Sequence, residues 1–225
     1  RGFNIPYLEA GSGEPLVLIH GFGADKDHFT RIARHLKANF RVLSIDLPGF
    51  GEATRDIGVL YGINDQVTRL HAILVQLDIK QVHLGGSSMG GYIVAQFAAT
   101  YPEMVSSVWL LNAAGTFAAH QSEMMKTYVA KGKIPLLVEH EDDYQKLVGL
   151  VMSKPPYFPQ AVLTVLARRA VSDLQLHRQI LHQFVGVPQY LERCFVNVET
   201  PALIVWGSED KVLHPLGADT LHRLF

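Results

Sequence analysis

Apolar and polar positions along this chain follow two rhythms. Short continuous apolar runs form the first: Pro15-Leu16-Val17-Leu18-Ile19-His20, stopped by Gly21, and Phe40-Arg41-Val42-Leu43-Ser44-Ile45-Asp46, stopped by Leu47-Pro48-Gly49. Residues 81–86, 105–111 and 201–206 repeat the pattern. Their length and β-branched content predict strands buried on both faces. The second rhythm is helical. Over 66–77 it sets Val67, Leu70, Ile73, Leu74 and Leu77 on one face, the i, i+3, i+4 spacing of an amphipathic helix. Strands alternating with helices predict right-handed crossovers and a mainly parallel, doubly wound α/β sheet.

The alternation stops after residue 112. Helices are predicted over 121–131, 142–152, 160–170 and 173–184, broken by Lys154-Pro155-Pro156-Tyr157-Phe158-Pro159, which cannot be helix interior. A helical insertion ahead of one more strand predicts a cap over one end of the sheet. The chain thus divides into a core, 1–112 with 200–225, and a cap, 113–199.

Composition narrows the function. At 225 residues a folded chain buries roughly 70% of its unfolded surface and needs no disulfide or metal to hold a core. Twenty Lys and Arg against 21 Asp and Glu supply no excess positive charge for a phosphate backbone, so nucleic acid is not expected as a partner. The one cysteine, Cys194, excludes an internal disulfide and a Cys-based zinc site. No run of 18 apolar residues occurs, so no membrane span is expected within the chain. A signal or anchor preceding Arg1, and with it membrane association, stays open. A cytoplasmic or membrane-associated placement is favoured over secretion.

Chemistry concentrates at three turns. Gly86-Ser87-Ser88-Met89-Gly90-Gly91 joins the strand at 81–86 to a helical run at 92–100. This is G-x-S-x-G in strand–turn–helix context, where a sharp turn lifts its serine clear of the sheet. Ser88 is the candidate nucleophile, and the N–H of Met89 the candidate oxyanion donor. A second donor should come from the loop after the first buried strand, which points to Phe22 in His20-Gly21-Phe22-Gly23. The Phe22 side chain would then line an acyl pocket. His20 precedes the serine, too early for the base in a Ser, Asp, His order, and is read as a histidine that ties its loop down. Asp210 in Trp206-Gly207-Ser208-Glu209-Asp210 follows the last strand, at the sheet end where α/β folds place their sites. It is the candidate acid, with Glu209 and Asp219 as rivals. In the cap, Met124, Tyr157 and Phe158 are candidate pocket residues.

These motifs, with Asp46-Leu47-Pro48-Gly49 and Gly217-Ala218-Asp219, resemble the α/β-hydrolase superfamily with a helical cap. Within it, the chain is similar to ABHD6-like monoacylglycerol lipases and to bacterial lipases and esterases. The resemblance implies a serine hydrolase that cleaves small-molecule carboxylic esters, monoacylglycerol-like or of short-to-medium acyl length, without metal or organic cofactor. Ser88 is its nucleophile, Asp210 its acid, and Phe22 with Met89 its oxyanion donors. Serine at position 88 argues against the dehalogenases and epoxide hydrolases of the fold, which use Asp. It leaves carbon–carbon bond hydrolases and perhydrolases open. Family members carry their histidine after one further strand, and here only His214 and His222 follow Asp210. The expectation is a histidine beyond Phe225, in a longer hydrolase of which this chain is part and without which it is inactive. The alternative is a non-catalytic ligand-binding relative that lacks the base.

Overall fold

The computed structural model describes residues 2–185 and 190–225. Six strands form one sheet: β1 (Tyr7–Ala10), β2 (Glu14–Ile19), β3 (Phe40–Ile45), β4 (Val82–Ser87), β5 (Val105–Leu111) and β6 (Ala202–Val205). Their spatial order is β1-β3-β2-β4-β5-β6. All neighbours pair in parallel except β1, which runs antiparallel to β3 with Tyr7 opposite Ile45. The consecutive strands β3 and β4 lie on opposite sides of β2. The order of the sheet therefore reverses there, opening a crevice at the carboxyl ends of β2 and β4.

Alternation along β2 builds two layers, because successive side chains point to opposite faces. Val17 and Ile19 join a cluster with Leu43, Ile45, Leu84, Ile93 and Phe97. Leu16 and Leu18 pack with Phe29 and Val42 on the other face. The first layer holds α2 (Ile63–Gln76) and α3 (Met89–Thr100), and the second is covered by α1 (Thr30–Leu36) with Phe40 and Trp109. In α3, Met89 through Ala98 are all buried, as a helical sequence that is apolar on every side except at Gln96 requires.

Between β5 and β6 the described residues are helical or irregular. A 3-10 turn at Phe117–Gln121 precedes α4 (Glu123–Lys131), α5 (Asp143–Val151), α6 (Gln160–Ser172), α7 (Leu174–Val185) and α8 (Leu191–Cys194). The last helix, α9 (Leu216–Leu224), follows β6.

Three features differ from the sequence reading. The edge strand β1 lacks an apolar run, since its Tyr7 and Leu8 are exposed, so periodicity did not reveal it. Helix α2 begins at Ile63 rather than at 66, and Ile63 joins the core. Most plainly, β6 is not buried on both faces. Among the described residues it pairs only with β5, and Leu203 and Val205 are exposed.

Candidate active site

Ser88 sits between the end of β4 and the start of α3 with φ +54° and ψ −115°, a conformation that costs an ordinary residue of order 1–3 kcal/mol. The surroundings hold it there. Its N–H donates to the Leu111 carbonyl at 3.0 Å, and its carbonyl accepts from Tyr92 at 3.1 Å and Ala114 at 3.0 Å. The flanking glycines are a steric requirement. A Cβ on Gly90 would overlap the Ile19 and His20 carbonyl oxygens, and one on Gly86 the Gly90 carbonyl. Helix α3 thereby packs directly on the end of β2, bringing Ser88 beside the 20–23 loop; a Cβ on Gly21 would stand 3.2 Å from that of Ser88.

Ser88 lines a partly open cavity of about 50 Å³, whose wall includes Phe22, Met89, Met124, Leu181 and Leu213. The structure thus brings Phe22, Ser88, Met89 and Met124 together. The Met89 N–H lies in the first turn of α3, where no intrahelical acceptor exists. Tyr157 and Phe158 are not on this wall. Tyr157 is 89% exposed and Phe158 half-buried, because the proline-rich link between α5 and α6 runs over the outside of the protein. The expectation that these two residues line the pocket gains no support from the wall of this cavity.

Asp210 follows β6 on a turn closed by its own N–H to the Gly207 carbonyl at 3.2 Å. Its Oδ1 accepts from the Val212 and Leu213 N–H groups at 2.8 and 2.9 Å. Oδ2 accepts from Asn112 Nδ2 at 2.5 Å. Val212 and Leu213 also line the Ser88 cavity, so the loop that carries Asp210 backs the serine. The rivals lie elsewhere. Glu209 accepts a hydrogen bond from Ser153, in the link between α5 and α6. Asp219 lines a separate open groove of about 490 Å³ that does not include Ser88.

The residues from position 14 to 225 match the family model described as the alpha/beta hydrolase fold. The chain belongs to the α/β hydrolase family. It is 38% identical over 227 aligned residues to Lipase 1 of Psychrobacter immobilis, covering 99% of this chain and 71% of the lipase. Against the human monoacylglycerol lipase ABHD6 the identity is 28%, covering 95% of this chain and 66% of that enzyme. The chain therefore spans about two thirds of these relatives. Among solved structures, a bacterial membrane phospholipase A superposes with a TM-score of 0.95 at 36% identity, covering 99% of this chain and 72% of that one. Lipase relatives at 28–38% identity support an ester-hydrolysing α/β hydrolase.

Within this α/β hydrolase the histidines have distinct places. His20 is fully buried. Its Nδ1 lies 2.8 Å from the Gly21 carbonyl, and its Nε2 accepts the Leu47 N–H at 3.0 Å. The two bonds define a neutral ring, and burial holds its pKa down to about 4. It ties the loop after β2 to the loop after β3. His214 Nδ1 accepts the Leu216 N–H at 3.2 Å at the start of α9, and His222 is exposed on α9. Burial also lowers the pKa of His177 in α7, whose ring lies 5.2 Å from that of Phe22.

One residue of the site escaped the sequence reading. Asn112, at φ +44° just past β5, donates to Asp210 and accepts from the Gly207 N–H at 3.3 Å. Its place depends on β6 lying beside β5, a neighbour 90 residues away. The only local signal is an asparagine ending an apolar strand.

Proposed function

We propose that this chain carries the nucleophile, acid and oxyanion donors of a serine carboxylic-ester hydrolase acting on monoacylglycerol-like or short-to-medium acyl esters. The observation that carries this reading is Ser88, held in a strained turn at the start of α3 and facing an apolar cavity. In the reaction Ser88 Oγ bonds to the ester carbonyl carbon while a histidine takes its proton. The carbonyl oxygen becomes an oxyanion, accepted by the N–H groups of Phe22 and Met89, roughly 3–4 kcal/mol per donor on measured precedent. Collapse expels the alcohol, which the imidazolium protonates, and water then cleaves the acyl-enzyme by the same steps reversed. Asp210 orients the histidine and stabilises its charged form.

The base is proposed to lie beyond Phe225. His20 has both ring nitrogens engaged within the fold, His214 Nδ1 accepts the Leu216 N–H at the start of α9, and His222 points to solvent. The division into a core, 1–112 with 200–225, and a cap, 113–199, belongs to this reading, since α4 and α7 supply Met124 and Leu181 to the wall facing Ser88. A cavity of about 50 Å³ accepts a few heavy atoms, at roughly 10–15 Å³ for a water-sized group. A short acyl group fits as the cavity stands, and a longer one displaces Met124 and Met125.

The test is covalent labelling of the full-length protein with a fluorophosphonate. Labelling at Ser88, abolished by Ser88→Ala, supports the reading. Labelling that persists and maps to Ser87 overturns it. Residues 1–225 assayed on p-nitrophenyl butyrate, beside a version carrying any sequence encoded after Phe225, locate the base. Equal turnover by both, lost in Ser88→Ala, would place it within this chain, with His214 first to test.

A further inference from the structure

The connection between α5 and α6 leaves apolar side chains in solvent without a partner. Of residues 151–162, eleven of twelve are exposed, and Phe158 is half-buried. The exposed set includes Val151, Met152, Tyr157 at 89% and Val162, and Val165 at 65% continues it one turn along α6. Since α5 packs against α6, these residues project from one helical hairpin. A concentration of exposed apolar side chains of this kind marks an interaction surface.

Charge and backbone chemistry indicate what covers it. Residues 144–172 contain no Asp or Glu, in a chain with formal net charge −1. They contain Lys146, Lys154, Arg168 and Arg169. Lys146 pairs with Asp143, Arg168 with Glu141 and Arg169 with Asp25, whereas Lys154 has no ion pair among the described residues. The other acid that reaches the segment is Glu209, which accepts from Ser153. Pro155, Pro156 and Pro159 have no N–H to leave unsatisfied in a medium without water. Tyrosine favours the level of lipid headgroups, where its ring is buried and its hydroxyl wet. Valine and methionine suit the layer beneath.

We propose that this hairpin docks the protein onto a phospholipid surface carrying anionic headgroups, with Tyr157, Met152 and Val165 inserted and Lys154 at the headgroups. The surface is separate from the Ser88 cavity, and its argument does not depend on Ser88 being a nucleophile.

The test measures partitioning of the purified protein, carrying Ser88→Ala so that lipid cannot be hydrolysed, onto sedimented vesicles. One set is phosphatidylcholine alone and the other contains about one third phosphatidylserine. Stronger binding to the anionic set is expected. Lys154→Glu reverses one charge and should weaken that binding at least fivefold, the equivalent of roughly 1 kcal/mol per basic residue at such a surface. Tyr157→Asp with Val165→Asp should weaken binding to both sets tenfold or more with the melting temperature retained. Binding unchanged by these substitutions, or equal on the two vesicle sets, overturns the proposal. So does concentration-dependent self-association that the Tyr157→Asp, Val165→Asp pair abolishes, for the surface would then belong to a second copy of the chain.

Discussion

Two aspartates stand at carboxyl ends of parallel strands in this fold, and their surroundings separate two uses of a carboxylate. Asp46, after β3, is fully buried. Its Oδ1 accepts the Lys26 N–H at 2.7 Å, and its Oδ2 accepts the Glu52 N–H at 2.8 Å and the Lys26 ammonium at 3.3 Å. A Cβ on Gly51 would overlap it. Asp210, after β6, also accepts three hydrogen bonds, but it is half-buried and no cation pairs with it among the described residues. Asp46 is enclosed and charge-compensated, so it serves the fold by joining the loops after β2 and β3. Asp210 is oriented but not neutralised. That is the condition in which a carboxylate can still orient and stabilise an imidazolium.

Substitution should break this pair in opposite directions. Asp210→Asn in the full-length protein is expected to lower kcat about 10⁴-fold, on the precedent of a triad Asp in subtilisin, with the urea midpoint nearly unchanged. Activity within tenfold of the parent would move the acid elsewhere, with Glu209 first to examine. Asp46→Ala should do the reverse. Removing one partner of a buried pair costs 3–5 kcal/mol, and about 3 kcal/mol is expected here because Lys26 keeps Glu52 at 2.8 Å. Urea unfolding measures the loss, and a midpoint like that of the parent would remove Asp46 from its structural role.

A smaller effect sharpens the same contrast through pH. His20 belongs to the Asp46 side of the molecule, and it titrates near 6.5 when unfolded but at about 4 in the fold. Between those values the unfolded chain binds more protons. The contribution of His20 is therefore complete above pH 6.5 and is lost as the pH falls through the window toward 4. Stability at pH ~4.5 should be roughly 2–3 kcal/mol below its neutral value from this group alone. His20→Asn should flatten that slope, whatever its own cost at neutral pH. An identical slope in the variant would mean that the ring is not buried neutral.

The smallest expected effect lies in the wall facing Ser88. Met124→Ala enlarges a cavity that now takes a few heavy atoms. It should raise the ratio of kcat/KM for a hexanoyl ester over a butyryl ester by about tenfold, since one methylene in an apolar pocket is worth 1–3 kcal/mol. An unchanged ratio would place the acyl chain away from α4.

How much of this was legible in the sequence varied with the range of the interaction. Ser88 could be placed because G-x-S-x-G, its strand and its helix are contiguous. The steric demands on Gly86 and Gly90 arise within that turn and the strand end beside it. The position of Phe22 followed from a buried strand ending in His20-Gly21. Met124, in a helical stretch, and Tyr157, in a proline-rich link between helices, were both read only as large apolar residues of the segment after β5. Met124 reaches the cavity wall and Tyr157 faces solvent, because only the packing of the helices between β5 and β6 chooses which side of each element is covered. The exposure of β6 and the hidden strand β1 were equally out of reach, since both depend on which neighbours a strand has and not on its own residues.

Hydrophobic periodicity and turn chemistry therefore determined that this chain builds a doubly wound sheet with a strained serine turn at its carboxyl edge. These are local consequences of side-chain alternation and of glycine's missing Cβ. The tertiary structure alone decided that Asn112 meets Asp210 across β5 and β6, that His20 joins two loops as a neutral ring, and that the α5–α6 hairpin faces outward. Each of those depends on groups brought together from distant parts of the chain, where burial and pairing set the charge state and no local pattern of residues encodes the neighbour.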